Sequence, residues 1–157
     1  MKLLVRADAS DQKGSGHVTR CLTLVESMRP RADDVHFVCR QLPGDLHRLI
    51  EDRGFRCSLI PADETNESGD SDSDSGADAS LDQLLDAKQT ASLTGKVDWL
   101  IVDNYEIDQR WERAMKSLCE RLFVIDDLVN RAHDCDMLLD QTFGRGADEY
   151  RPFVAQD

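Results

Sequence analysis

Short apolar runs alternate with segments of helical period along most of the chain, and this alternation limits the fold more than any other feature. Two runs, at 97–102 and 121–125, are apolar almost throughout, which is typical of central strands covered on both faces of a parallel sheet. The pattern predicts strands at 2–8, 34–40, 55–60, 97–102, 121–125 and 137–139, and helices at 15–29, 45–53, 80–95 and 108–120. It therefore predicts an α/β fold, a parallel Rossmann-like sheet with helices on both faces. At 157 residues the chain suits one domain, which we place at 1–145.

Apolar residues at helical spacing mark the face that each helix should bury. We expect Ser80 to cap the third helix, because its hydroxyl can accept a hydrogen bond from a first-turn amide. The expected inward residues are Leu81, Leu84 and Leu85 in the third helix and Trp111, Met115 and Leu118 in the fourth.

The segment 61–80 differs in composition from the rest of the chain. It holds seven acidic residues, no Lys or Arg, and no apolar residue other than alanine, so it carries more than half of the net charge of −12. Such a segment cannot bury enough surface to offset the entropy lost on ordering, which predicts a flexible acidic insertion. Because basic patches are lacking, we expect neither nucleic acid nor an anionic membrane as a partner.

The chain has five cysteines: Cys21, Cys39, Cys57, Cys119 and Cys135. They form no CxxC pair and lie in or beside apolar segments, so we interpret them as buried, reduced thiols. The alternative is a metal site at 133–136, where His, Asp, Cys and Asp follow one another without a second ligand pair of suitable spacing. No apolar run is long enough for a membrane span, and the N-terminus lacks the pattern of a signal peptide, so we expect a cytoplasmic protein.

A glycine-rich loop, Gly14-Ser15-Gly16-His17, follows the first predicted strand and opens the first predicted helix. Helix N-termini suit phosphate, but this loop lacks the Gly-Lys-Ser/Thr of a Walker A motif, and Thr19 stands where a dinucleotide loop has its third glycine. Two interpretations of His17 remain. It caps the helix or holds the loop, or it performs general acid–base catalysis, since histidine side chains titrate near neutrality.

Polar residues follow four of the predicted strands at the point where each strand ends. They are Asp8, then Asp103 with Tyr105, then Asp126 with Asp127, and finally Asp140 with Gln141. Because the carboxyl ends of parallel strands share one edge of a sheet, these side chains and the glycine loop should line one polar crevice. Each Asp alone can have a structural role instead, as a helix cap or a partner of loop backbone. For the edge as a whole we expect a ligand site.

Seven short motifs follow one another across most of the chain. They are RADAS at 6–10, GSGHV at 14–18, RCL at 20–22, DWLIVDNY at 98–105, VIDDL at 124–128, RAHDCD at 131–136 and LLDQ at 138–141. In this combination and order they resemble the family of UDP-2,4-diacetamido-2,4,6-trideoxy-β-L-altropyranose hydrolases of pseudaminic acid biosynthesis. The resemblance implies the N-terminal half of a two-domain, GT-B-like fold. It also implies metal-independent hydrolysis of the bond between sugar C1 and UDP, with inversion.

The same resemblance implies roles for individual residues. His17 matches the family's general base, which activates water, Tyr105 matches a tyrosine that lines the sugar site, and the glycine loop would face the sugar and its phosphate. We therefore predict His17 as the catalytic residue and a UDP-sugar as the substrate, with no cofactor and no metal. The predicted substrate-binding residues are Asp8, Gly14, Ser15, Gly16, Arg20, Tyr105, Asp126 and Asp127.

The resemblance covers one half of the family's fold. The family's nucleotide-binding half lies C-terminal, so we expect residues 146–157 to begin a linker. We also expect a nucleotide-binding half as a partner, and this half can be a separate chain. Two other interpretations stay open. The chain can be the acceptor domain of a glycosyltransferase with the same fold, or a non-catalytic sugar-binding half of a split protein.

Overall fold

The computed structural model describes residues 1–62 and 82–154. The strands in these ranges are β1 (Lys2–Ala7), β2 (Asp34–Arg40), β3 (Arg56–Ile60), β4 (Val97–Asp103), β5 (Cys119–Ile125) and β6 (Met137–Leu139). The α-helices are α1 (Gly16–Met28), α2 (His47–Asp52), α3 (Gln83–Ser92) and α4 (Gln109–Met115), and 3₁₀ turns lie at Arg29–Arg31 and Ala147–Tyr150. No helix in the described ranges combines the length and the apolar character needed to cross a membrane.

The strands pair in the order β3-β2-β1-β4-β5-β6, and each of these pairings is parallel. The prediction of a parallel, Rossmann-like α/β fold is therefore confirmed. β1 and β4 are neighbours, and the chain builds outward from them in opposite directions. At such a reversal the loops after the two strands diverge and leave a crevice. Ala7 lies opposite Asp103 in the register, so the residues that follow β1 and those that end β4 meet at this crevice.

Helices cover both faces of the sheet around two apolar cores. The core beneath α1 and α2 includes Leu3, Val5, Val25, Phe37 and Ile50. The core beneath α3 and α4 includes Leu4, Leu100, Trp111, Met115 and Leu122. Successive residues of a strand point to opposite faces, so β1 contributes to both cores. The same alternation directs Arg6 toward α3, where it meets Asp86.

The predicted fourth helix is shorter than expected. The sequence predicts one helix over 108–120, but α4 ends at Met115 and β5 already begins at Cys119. The chain turns because the Leu118 amide bonds back to the Met115 carbonyl at 2.9 Å, and Cys119 then enters the sheet opposite Val97. Trp111 and Met115 are buried as predicted, whereas Leu118 is half-buried.

The predicted apolar face of the third helix is wrong where it can be compared. Leu84 and Leu85 are 56% and 43% exposed. Asp82, whose carboxylate accepts from the Leu85 amide at 3.0 Å, caps α3 instead. Ser80 and Leu81 lie outside the described residues, as does most of the acidic segment. The buried face of α3 consists of Gln83, Asp86, Ala87 and Thr90.

Asp86 is buried on this face because its carboxylate binds the guanidinium groups of two arginines in the sheet. Its carboxylate accepts two hydrogen bonds from Arg6, at 3.0 and 2.6 Å, and one from Arg40 at 2.7 Å. The indole of Trp111 donates a fourth at 2.8 Å. Burial opposes ionisation, but attraction to Arg6 and these hydrogen bonds outweigh it and lower the pKa of Asp86 to about 2. A buried charge network therefore attaches α3 to β1 and β2.

All five cysteines are free thiols, as predicted, although only Cys21 and Cys39 are fully buried. The segment 147–154 packs on the domain, since the Tyr150 hydroxyl donates to the Asp126 carbonyl at 2.7 Å and the His133 amide donates to the Phe153 carbonyl. A linker beginning at 146 stays a prediction.

Candidate active site

His17 lies in the first turn of α1, beside the carboxyl end of β4. Its Nδ1 is 2.6 Å from Oδ1 of Asp103, the last residue of that strand, which is fully buried. A carboxylate can only accept a hydrogen bond, so Nδ1 donates and carries the proton in the neutral ring. Nε2 then presents its lone pair, and it has no hydrogen-bond partner within 1–62 and 82–154. This is the arrangement of a histidine base oriented by a carboxylate.

Arg20, one helical turn after His17, binds the same carboxylate. Its Nε donates to Oδ2 of Asp103, and its Nη2 donates to Oδ1 at 2.6 Å. The thiol of Cys21 points at Oδ2 from 3.7 Å. The hydrogen bonds from Arg20 to Asp103 are the main cause of a raised pKa of Arg20. The negative charge of Asp103 adds to this effect, and partial burial opposes it. The negative charge of Asp103 is thus balanced by Arg20 inside the protein rather than by solvent.

Tyr105 and Asp127 form the other side of the crevice. The Tyr105 hydroxyl donates to Oδ1 of Asp127 at 2.5 Å, and Oδ2 of the same carboxylate accepts from Nη1 of Arg20 at 3.1 Å. The Tyr105 ring stands edge-on to the His17 ring, with centroids 4.4 Å apart. Burial and the bond to Asp127 raise the pKa of Tyr105, so the hydroxyl keeps its proton at neutral pH. Tyr105 remains 37% exposed and is open to a ligand.

The glycine loop forms a tight turn in front of α1. Gly14 has φ +77°, and its amide bonds to the Ser10 carbonyl at 2.8 Å. Lys13 ties the loop to the residues after β4 through a 2.5 Å ion pair with Glu106. Gly14, Ser15 and Gly16 are exposed, and the Ser15 side chain makes no capping bond to α1. First-turn amides of α1 are therefore available to an anion.

Asp8 lies beneath the crevice. It is 2% exposed, and its Oδ1 accepts from Arg6 and from the Arg40 amide at 2.5 and 2.7 Å, while Oδ2 accepts from Asn104 at 2.8 Å. Burial opposes ionisation, but attraction to Arg6 and these hydrogen bonds lower the pKa of Asp8. Asp8 is thus bound to its neighbours rather than directed at a ligand.

Asp126 is also buried and holds the loop that carries Asp127. Arg131 Nη1 is 2.6 Å from its Oδ1, and its Oδ2 accepts from the Leu128 and Val129 amides at 3.3 and 3.2 Å. Val129 has φ +53°, a left-handed conformation that these bonds help to maintain. Burial opposes ionisation, but His133 and Arg131 outweigh it and hold the pKa of Asp126 well below its usual value.

His133 connects this loop to α4. Its Nδ1 is 2.7 Å from Glu112, and its Nε2 is 3.8 Å from Asp126. The neighbouring Asp134 pairs with Arg113 at 2.8 Å and with Lys116. The alternative of a metal site at 133–136 gains no support, because no three His, Cys, Asp or Glu side chains in the described part of the chain are arranged to hold an ion.

The structure thus brings His17, Arg20, Tyr105 and Asp127 together around Asp103, with the glycine loop at their edge. No protein-family model matches the chain. The chain is similar to UDP-2,4-diacetamido-2,4,6-trideoxy-beta-L-altropyranose hydrolase of Campylobacter jejuni subsp. jejuni, with 26% identity over 155 residues, or 98% of this chain. The chain spans 46% of the length of that relative.

The sequence predicts Asp103 on the same polar crevice as the glycine loop, but not as a catalytic or substrate-binding residue and not as the partner of His17. Asp103 is 86 residues from His17 in sequence, and no spacing rule connects the two. The only available signal was topological. If the strand at 97–102 had been placed beside β1, the helix that follows β1 would have lain over its carboxyl end.

Proposed function

We propose that this chain is the water-activating half of a UDP-sugar hydrolase that acts on a UDP-linked diacetamido-trideoxy sugar, with His17 as the general base. The hydrogen bond between His17 and Asp103 at the carboxyl edge of the sheet is the observation that carries this proposal. The named activity of the Campylobacter relative, which matches almost the whole chain, supports it.

In the proposed reaction, Nε2 of His17 removes a proton from water while the water oxygen bonds to sugar C1. The bond between C1 and the diphosphate oxygen breaks, and UDP leaves with the bonding electrons. Asp103 stabilises the imidazolium that forms, because Nδ1 continues to donate to it. The proton then passes to solvent. A base in hydrogen-bond reach contributes about two to four powers of ten to such a rate.

In this proposal some of the other predicted site residues contact the substrate, and others hold the loops in place. Tyr105 faces the sugar, and the first-turn amides of α1 attract the departing diphosphate. Asp8 and Asp126 hold the loops from beneath, since the hydrogen bonds of both carboxylates go to neighbouring protein groups. The uridine would be bound by a nucleotide-binding half, either later in a longer chain or on a separate one, in keeping with the greater length of the relative.

The test is hydrolysis of a UDP-linked diacetamido-trideoxyhexose by the chain alone and by the chain fused to the C-terminal half of the Campylobacter relative. UDP release is followed by ³¹P NMR. His17→Ala should lower turnover by about two to four powers of ten. His47→Ala is the matched control, because His47 pairs with Asp45 just before α2 and, in the described residues, shares no hydrogen bond with His17, Arg20 or Tyr105. Equal turnover in His17→Ala and the unsubstituted protein would refute the role of His17.

The site of bond cleavage gives a second check. In ¹⁸O-labelled water the label should appear on C1 of the released sugar and not in UDP. Label in the phosphate would contradict attack at C1. Formation of a glycoside when an acceptor sugar is added, with no free sugar, would favour a transferase instead.

A further inference from the structure

The guanidinium of Arg20 lies between two carboxylates that belong to different strand ends. Nε and Nη2 bind Asp103, and Nη1 binds Asp127. Nη2 also lies 3.2 Å from Nδ1 of His17, because both nitrogens donate to the same oxygen of Asp103. The sequence predicted Arg20 as a substrate-binding residue. Its contacts instead engage all three guanidinium nitrogens within the protein, and its side chain is only 18% exposed.

We propose that Arg20 is a positioning residue for His17 and Tyr105, rather than a ligand of the substrate. This inference rests on the proposed function. Arg20 reaches His17 through Asp103 and Tyr105 through Asp127. A planar guanidinium can hold a carboxylate through two parallel hydrogen bonds, which fixes the carboxylate plane and hence the direction in which Nδ1 must donate.

Arg20 also governs how strongly Asp103 attracts a proton to His17. A fully buried carboxylate with no cation beside it would favour the imidazolium, and an imidazolium cannot accept a proton from water. With Arg20 in place, two guanidinium nitrogens compensate the charge of Asp103, which accepts from Nδ1 of His17. The charged or titratable groups around this ring are Arg20 and Cys21 from α1, Asp103 from β4, Tyr105 after β4, and Asp127 after β5.

A first experiment needs no turnover. Long-range ¹H–¹⁵N NMR spectra of the imidazoles report the tautomer and the titration of His17 in the unsubstituted chain, in Arg20→Gln and in Arg20→Lys. The neutral ring should carry its proton on Nδ1 in the unsubstituted chain. In Arg20→Gln the midpoint of the His17 titration should rise by about one pH unit or more, because Asp103 loses its cation. Arg20→Lys keeps the charge without the planar fork and should shift the midpoint less.

An unchanged midpoint and tautomer in Arg20→Gln would overturn the proposal. Circular dichroism checks that each variant is folded. If Arg20→Gln does not fold, Arg20→Lys carries the test through its tautomer populations, since a lysine cannot hold the carboxylate plane. A Lys variant with the same tautomer populations as the unsubstituted chain would also overturn it.

A second experiment separates positioning from substrate binding. In the hydrolase assay, Arg20→Gln should lower kcat about 10- to 100-fold with KM changed less than about threefold, and the acid limb of the pH–rate profile should move to higher pH. A residue that binds the diphosphate would instead raise KM and weaken inhibition by UDP, with the acid limb unmoved, and this result would overturn the proposal. If the proposed function fails, no variant hydrolyses the substrate, whereas the NMR result still decides the role of Arg20.

Discussion

At the scale of single residues, Gly44 shows how closely the glycine loop is held by its neighbours. The Asp11 amide bonds to the Pro43 carbonyl at 2.9 Å. A Cβ on Gly44 would lie 2.8 Å from that amide nitrogen, closer than a Cβ can approach backbone. The loop that leads to His17 is therefore seated against the turn after β2, and only glycine at 44 allows this contact.

We predict that Gly44→Ala destabilises the protein more than Gly54→Ala, which is the matched control. Both glycines have φ +79°, but a Cβ on Gly54 would have nothing within 4 Å. The left-handed conformation alone should cost about 1–2 kcal/mol in each variant, and the clash should add about 1–3 kcal/mol at 44. Urea unfolding measures the difference. Equal losses of stability would mean that Asp11 moves aside without cost.

At the scale of elements, the attachment of α3 depends on Asp86 beneath it. Asp86→Ala would leave Arg6 and Arg40 buried beside an empty site, which should cost about 3–5 kcal/mol of unfolding free energy. Glu26→Ala is the control, because Glu26 forms an ion pair with Arg53 that is about half exposed and should be worth less than about 1 kcal/mol. Chemical denaturation of both variants tests this, and a similar small loss in each would show that α3 is held mainly by apolar packing.

The same helix shows where pattern reading succeeds and where it fails. Apolar runs predicted the six strands, and the signal is strongest in β1, β2 and β4, which are buried along most of their length. In α3 the assumption that leucines point inward is wrong. Asp86 faces the sheet instead, because it binds Arg6 and Arg40 there. The opposite face of the helix then exposes Leu84 and Leu85. A charge pair between residues 80 positions apart has no local signature. The pairing of His17 with Asp103 escaped prediction for the same reason.

At the scale of the whole molecule, stability should depend on pH through His133. Burial alone would lower its pKa, but Asp126 and Glu112 outweigh this and raise the pKa above its usual value. The pKa is thus higher in the folded than in the unfolded state. The resulting stabilisation is complete below the unfolded value of about 6.5 and is lost as the pH rises through the folded value.

We therefore expect the free energy of unfolding to fall as the pH is raised above about 6.5, with a smaller fall in His133→Gln. His36→Gln is the control. Burial, followed by the charge of Arg56, lowers the pKa of His36 to about 4, so this side chain is neutral in both states above about pH 7.5. In that range the control should lose stability without a change of slope. Urea titrations between about pH 6 and pH 9 give the slopes, and parallel slopes for His133→Gln and the unsubstituted protein would contradict the prediction.

The placement of β1 beside β4 has a consequence for folding. His17 and Arg20 come from the first half of the chain, and Asp103 and Asp127 come from the second, so neither half can form the crevice alone. Local helix formation cannot assemble it either, since the two central strands must first meet across a long intervening stretch of chain. The crevice would then form late during refolding, and a chain cleaved between residues 62 and 82 would regain it only when both fragments re-associate.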